Sequence, residues 1–276
     1  MKNPFFLCVS LCAVAAATVS TPSHAAPDVE PRAWFGLWDV VFQVAPTILQ
    51  MSGVAWDRTN NVVWTLSDDP PAQLGLTTMG DTPTTRAVPV EGLKIRDTEA
   101  LVMDQTGMLW ALDVGDNHAK YDHVTFYGIQ PSVAPATETG LTVTRKIRVT
   151  YADGARNVEA AIVHGDRVFL FEKTFFGISR VVSVDIGPKA PVEQVARDEG
   201  RLPSAIGAIT DASTSSDGET FLLTYGGVYH CTDCTLASRQ VEAVVHGVWG
   251  QCEALIATHG DVFLVGNEAG DFFLVQ

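Results

Sequence analysis

The chain has 276 residues, enough for one large domain or two small ones, and its 46% hydrophobic content is sufficient for a substantial core, which excludes wholesale disorder. Charged residues make up 18%, with 32 acidic against 18 basic and no Lys/Arg run, so nucleic acid and anionic membranes are poor partners. The 23 glycines and 14 prolines suit a turn-rich β protein better than a helix bundle.

Residues 1–25 read as a signal peptide. Lys2 precedes an apolar run, Phe5–Val19, that is short for a membrane span, and Ser23 and Ala25 place small residues at −3 and −1 of a peptidase site. Cleavage is expected between Ala25 and Ala26. Leu11 stands where a lipobox wants a small residue, so Cys8 and Cys12 do not mark a lipid anchor. No second hydrophobic span follows, and the expectation is an exported product, periplasmic or extracellular.

From there on, short alternating or apolar runs recur between Asp-Gly, Gly-Asp, Asn-Asn and Pro clusters. They are Val62–Leu66, Met108–Asp113, Val124–Ile129, Arg167–Phe171, Val181–Ile186, Phe221–Tyr225 and Val262–Val265. No segment keeps a helical period with caps, and the fold class expected is all-β. Trp56, Trp64 and Trp110 fall on these runs as core residues.

A weak internal repeat organises the runs. Asp97-Thr-Glu-Ala-Leu-Val-Met-Asp104 is echoed by residues 157–164, Asn-Val-Glu-Ala-Ala-Ile-Val-His, and by residues 251–258, Gln-Cys-Glu-Ala-Leu-Ile-Ala-Thr. Degenerate copies start at Ser52-Gly53 and Thr210-Asp211. Gly53, Glu99, Glu159, Asp211 and Glu253 are 46, 60, 52 and 42 residues apart, the spacing of four-stranded propeller blades. Five such positions predict a five-bladed β-propeller over residues 50–276. Only 23 residues follow Glu253, enough for three strands, so residues 26–49 are expected to supply the fourth as a closing segment. A β-sandwich, an open array and a sixth blade are the alternatives.

In a blade the first strand starts where the second ends, so one mouth of the channel gathers distant residues. The candidates for a metal site are Glu99, Glu159, Asp211 and Glu253. Around them as ligand-binding candidates stand Asp68, Asp69, Asp113, Asp116, Asn117, Lys173, Tyr225, Asn267 and Glu268. Carboxylates gathered this way raise one another's pKa unless a cation sits among them, and a ring of hard oxygens suits Ca²⁺. The structural alternative is an ion-pair network in which Arg96, Arg156 and Lys173 neutralise the glutamates. No G-x-S-x-G, H-E-x-x-H or phosphate-binding Gly-rich loop occurs, and His118 is the one histidine near the expected mouth.

Three cysteines remain beyond the leader. Cys231-Thr-Asp-Cys234 reads as a redox pair, half a zinc site or a small structural disulfide, the last being preferred because no second Cys/His pair stands at zinc spacing. The strand directions carry Cys231 and Cys234 to the end of the blade away from the mouth and leave Cys252 beside Glu253 as the free thiol.

The segments Asp-Thr-Glu-Ala-Leu (97–101), Leu-Asp-Val-Gly-Asp-Asn (112–117) and Val-Thr-Phe-Tyr-Gly-Ile-Gln-Pro (124–131) resemble a family of secreted bacterial β-propeller proteins of largely uncharacterised function. Residues 151–159, 209–225 and 250–254 are similar to it too. The chain departs from the pattern at Cys252, where glycine is usual, and at His118, where arginine is common. More remotely it looks like calcium-dependent propellers of the phytase-like and lactonase-like kinds, which implies calcium as cofactor on the channel carboxylates. The function expected is a binding module taking a metal ion, a small ligand or a protein partner at the mouth. The alternative is a calcium-dependent hydrolase of an ester, lactone or phosphoester, with Asp116, Asn117 or His118 nearest to acid–base work.

Overall fold

The structure, a computed structural model, describes residues 40–44, 50–68, 73–131, 140–247 and 251–276. The expected leader, most of residues 26–49, and Asp69 lie outside the described residues. Among the described residues there are strands and no helix.

Strand β1 (Val40–Gln43) comes first. Then β2 (Met51–Asp57), β3 (Val62–Ser67), β4 (Gln73–Thr78) and β5 (Thr84–Glu91) form an antiparallel meander. A second consists of β6 (Ala100–Met103), β7 (Leu109–Asp113), β8 (Val124–Ile129) and β9 (Leu141–Thr150). In the third, β10 (Val158–His164), β11 (Arg167–Glu172) and β12 (Arg180–Asp185) are completed past β13 (Glu193–Val195) by β14 (Arg197–Arg201). The fourth is β15 (Ile209–Thr214), β16 (Thr220–Thr224), β17 (Gly227–Thr232) and β18 (Gln240–His246). The last three strands, β19 (Cys252–Ala257), β20 (Phe263–Asn267) and β21 (Asp271–Val275), are joined by β1, in the order β1-β21-β20-β19.

The first strand of each meander lies beside the next one's: β2 by β6, β6 by β10, β10 by β15, β15 by β19, and β19 by β2. Sheets standing around a common centre in this way make the β-propeller arrangement. Parallel pairings join neighbours at the periphery, Val90 with Leu141 and Glu91 with Thr142, and β13 with the end of β9.

Burial explains the sequence patterns. β3 and β7 are covered on both faces by neighbouring sheets, and every residue of Val62–Ser67 and Leu109–Asp113 is buried. The peripheral β9 instead tends to alternate, with Leu141, Ile147 and Val149 buried and Thr142, Thr144 and Arg148 turned outward. Apolar side chains interlock between sheets: Trp64, Leu66 and Leu74 pack with Leu101, Leu109 and Ala111 of the next meander. At the centre the first strands come very close. A Cβ on Gly53 would stand 2.7 Å from the Leu101 amide nitrogen, so β2 reaches β6 only through a glycine.

Cys231 and Cys234 are joined by a disulfide, Cα–Cα 5.2 Å, at the end of β17, and Cys252 at the start of β19 is buried and stands outside any disulfide. Burial, with Glu253 adding to it, pushes the Cys252 thiol up to about 12. Peptide mapping of the unreduced protein should return one linked 231–234 peptide. Iodoacetamide at pH 8 should label Cys252 only once denaturant is added; rapid labelling of the native protein, or a bond from Cys252 to either partner, would contradict this placement.

Candidate metal and ligand site

A register shift opens four of the first strands, between Met51 and Gly53, Val158 and Ala160, Ile209 and Asp211, and Cys252 and Ala254. A bulge sets two residues against one, and the extra residue leaves the ladder. Those residues are Ser52, Glu159, Thr210 and Glu253. Glu99 takes the same place in the second meander, its amide donating to the Leu112 carbonyl that faces Ala100. Backbone register thus lifts three glutamates and two hydroxyls to one rim of the channel.

The three glutamates converge. Glu99, Glu159 and Glu253 are each buried, and each offers a carboxylate oxygen within 4.8 Å of the other two. Lys173, just past β11, places Nζ 2.8 Å from Glu159 Oε2 and 3.8 Å from Glu253 Oε1. The Tyr225 hydroxyl donates to Glu253 Oε1 at 2.8 Å, and Lys173 Nζ lies 5.3 Å from the centre of the Tyr225 ring. Glu268 stands close enough to feel both Lys173 and Glu159, and its Oε1 accepts from Gln251 Nε2 at 3.0 Å.

Electrostatics follow from this crowding. Burial, then the neighbouring Glu159, Glu253 and Asp97 carboxylates, hold Glu99 well above the ordinary carboxylate range. Glu253 is raised to about 7 by burial and by Glu159, against the pull of Lys173. Burial works to lower Lys173, but Glu159 and Glu253 outweigh it and keep the ammonium charged beyond its usual range. Burial, with Glu253, likewise raises the Tyr225 hydroxyl.

Asp211 does not join this group. The bulge makes Thr210, not Asp211, the counterpart of the glutamates, and Thr210 Oγ1 donates to the Cys252 carbonyl at 2.8 Å. Ser52 makes the matching contact to the Thr98 carbonyl. Asp211 is in the ladder opposite Leu223, and its carboxylate accepts from the Ala212 amide at 2.8 Å and the Leu255 amide at 2.7 Å. It clamps β15 to β19.

Several other expected mouth residues serve their own loops. Asp113 Oδ1 accepts from the Arg96 and Asp97 amides, and its Oδ2 pairs with Arg96 at 3.1 Å. Asp116 is buried, with its two oxygens accepting from the Lys120 and Tyr121 amides. Asn267 closes the β20–β21 turn by accepting from the Asp271 amide. Asp68 is tied by its amide to the Gln50 carbonyl, and His118 is exposed. The idea that Arg96 and Arg156 neutralise the glutamates fails as well. Arg96 lies over the Tyr121 ring beside Asp113, while Arg156 pairs with Asp153 and Glu172. Of these three cations, Lys173 alone reaches the cluster.

Asn157 and Asp97 were not expected. Asn157 Nδ2 donates to Glu159 Oε1 at 2.9 Å and to Asn117 Oδ1 at 3.1 Å, while its Oδ1 accepts from the Asp116 amide. Asp97 shares a hydrogen bond with Glu99. Each stands two residues ahead of its glutamate, as Gln251 does before Glu253, and a polar-x-Glu spacing in all three repeats was the signal. Gly115 leaves room for the first pair, because a Cβ there would fall 2.6 Å from Asp97 Cγ and 2.7 Å from Glu99 Cγ.

No family profile matches the chain, and no curated protein matches it. Among solved structures, a gluconolactonase from Xanthomonas campestris is similar at 9% identity and a TM-score of 0.47, over 85% of this chain and 87% of that one. A catalytically inactive virginiamycin B lyase from Staphylococcus aureus, solved with quinupristin, is similar at 9% identity and a TM-score of 0.43, over 81% of this chain and 65% of that one. Hydrazine synthase from Kuenenia stuttgartiensis is similar at 11% identity and a TM-score of 0.42, over 82% of this chain and 57% of that one. The chain thus spans less than two thirds of the lyase and of the synthase. The fold and the reading of the site rest on the topology and geometry above, not on these likenesses.

Proposed function

We propose that this chain is an exported, five-bladed β-propeller whose channel mouth binds a divalent cation, calcium by the hardness of its ligands, and through it a small ligand or partner. The observation that carries the reading is charge. Glu99, Glu159 and Glu253, with Asp97 and Glu268 beside them, surround the single ammonium of Lys173, and this excess of acidic groups in a buried site is what a divalent ion offsets once they are ionised. Calcium takes oxygens at ~2.3–2.6 Å, so oxygens on one ion stand up to roughly 5 Å apart, a spread the glutamates already have. Glu99, Glu159 and Glu253 would hold the ion, with Tyr225 and Asn157 fixing two of the carboxylates and Lys173 sharing the charge.

The count of five blades is supported by the five neighbouring first strands and by the pairing of β1 with β21. Export is supported by the leader-like residues 1–25 and by a disulfide of the kind oxidising compartments preserve. The hydrolase alternative has less behind it, since both Asp116 oxygens are committed to amides and His118 is exposed.

Calcium at a hundred times its Kd should stabilise the native state by about 2.7 kcal/mol and raise the melting temperature by several degrees. A chelator should reverse the gain, and the Glu99→Gln, Glu159→Gln double variant should show none. A melting curve indifferent to calcium and chelator would remove the metal from the reading.

A further inference from the structure

Residues 112–117, which end β7 and lead away from it, bond by turns to the starts of two neighbouring first strands. The Leu112 carbonyl accepts from the Glu99 amide at 3.1 Å, and Asp113 Oδ1 from the Asp97 amide at 2.9 Å. The Val114 carbonyl accepts from the Val158 amide at 3.4 Å. The Gly115 amide donates back to the Asp97 carbonyl at 2.9 Å, and the Asp116 amide to Asn157 Oδ1 at 2.8 Å. Asn117 Oδ1 then accepts from Asn157 Nδ2, which also donates to Glu159 Oε1. One short piece of chain thus backs both Glu99 and Glu159. It is itself fixed: Asp113, Val114 and Asp116 are buried, and the Asp116 carboxylate closes the loop beyond on the Lys120 and Tyr121 amides. Glu253 is held independently, by Tyr225 and Lys173. Gly115 is the point of closest approach, since a Cβ there would stand 2.6 Å from Asp97 Cγ and 2.7 Å from Glu99 Cγ. Its φ lies outside the left-handed region, so the glycine provides space and not backbone freedom.

We propose that residues 112–117 set the separation of Glu99 from Glu159, with Gly115 as the deciding position, and that the cluster's choice among divalent cations by size is made there. The inference rests on the cation reading above and assigns its specificity. Discrimination by size comes from the dimensions and rigidity of a ligand set, and here two of three carboxylates take their spacing from a single buried support. Groups that orient such carboxylates from behind matter nearly as much as the carboxylates themselves. A methyl at position 115 would press on the Asp97–Glu99 pair and leave the Lys173 and Tyr225 contacts of Glu159 and Glu253 in place. It alters spacing without altering charge.

The test uses Gly115→Ala and Asn157→Ala in the purified protein, with the glutamate carboxyls carbon-13 labelled. In chelator, NMR should show the Glu99 resonance displaced in Gly115→Ala and the Glu159 resonance displaced in Asn157→Ala, with Glu253 moving least in both. Competition with a chromophoric chelator then gives the affinities for Mg²⁺, Ca²⁺ and Sr²⁺. Either variant should lower calcium affinity about tenfold or more. Gly115→Ala should also change the ratio of the three affinities by about threefold or more. A Glu99 resonance that stays put in Gly115→Ala, or three glutamate resonances that shift alike, overturns the positioning role. Equal losses for all three ions overturn the specificity, because a general loosening of the fold weakens each of them together. The methyl meets side chains and not backbone, so Gly115→Ala should fold. If it does not, Asn157→Ala carries the same readouts, with Glu159 in the place of Glu99. Wild-type protein that binds none of the three ions sinks the cation reading and the specificity with it, while the spectra in chelator still decide the positioning role.

Discussion

Metal-free protein should lose about 3 kcal/mol of stability as the pH rises from 4.5 to above 7, the reverse of the usual behaviour of paired carboxylates. Glu253 sets the window. Unfolded, it titrates near its ordinary value of 4.5; folded, it titrates at about 7, because burial and Glu159 disfavour its charge more than Lys173 supports it. Between those two values the native state holds a proton that the unfolded chain has released. Stability is therefore highest below 4.5 and falls until Glu253 is ionised in both states. Glu99, raised by burial and by its carboxylate neighbours, and Asp211, raised by burial, act with the same sign and carry the decline further. Calcium should oppose it, since an ion on the ionised carboxylates would offset the cost of their burial and repulsion. Urea titrations from pH 4.5 to 8, with chelator and with calcium, measure both effects. Glu253→Gln should flatten the chelator curve over this window. A metal-free stability that rises through the window would show that Lys173 governs the cluster more strongly than burial does.

Removing the first strand should be at least as costly. Phe42 is buried and stacks on Phe272 at 4.5 Å, and both pack with Met51, Val54 and Val63 of the neighbouring sheet and with Ile256 of their own. Phe42→Ala should cost about 3–5 kcal/mol through lost burial and the cavity left behind. At roughly 2–4 °C per kcal/mol for a chain of this size, the melting temperature should fall by about 6–20 °C. A chain beginning at residue 50 loses β1 altogether and leaves the backbone of β21 unpaired along one edge, so it should associate through that edge as well as melt early. Light scattering with thermal melts separates the two effects, because the point variant keeps the strand and should remain monomeric. A truncated chain that stays monomeric with native stability would show that β1 is dispensable to the ring.

Much of this molecule is readable in one dimension because the inner strands are wrapped by neighbours on both faces. Val62–Ser67, Leu109–Asp113 and Phe221–Thr224 must be apolar nearly throughout, and such runs announce themselves in any sequence. The repeat was legible for a related reason. Each first strand meets the same surroundings, so Glu-Ala-x-x recurs at Glu99, Glu159 and Glu253, and those three did converge. Strand β14, Arg-Asp-Glu-Gly-Arg, was illegible, because an outermost strand needs only backbone partners and its side chains face water. The pattern of residues alone thus determined the all-β class, the unit length and the identity of three rim glutamates. Tertiary structure decided the rest through register. A single bulge at the start of β15 moves Thr210 to the rim and turns Asp211 into a clamp between strands, a change of one residue that hydrophobic periodicity cannot register. Only the folded chain settles which cation meets the glutamates. Arg96 and Arg156 are nearer in sequence, but their guanidiniums pair with Asp113 and Glu172 at the ends of second strands, and Lys173, one residue past Glu172, is the cation that meets the cluster.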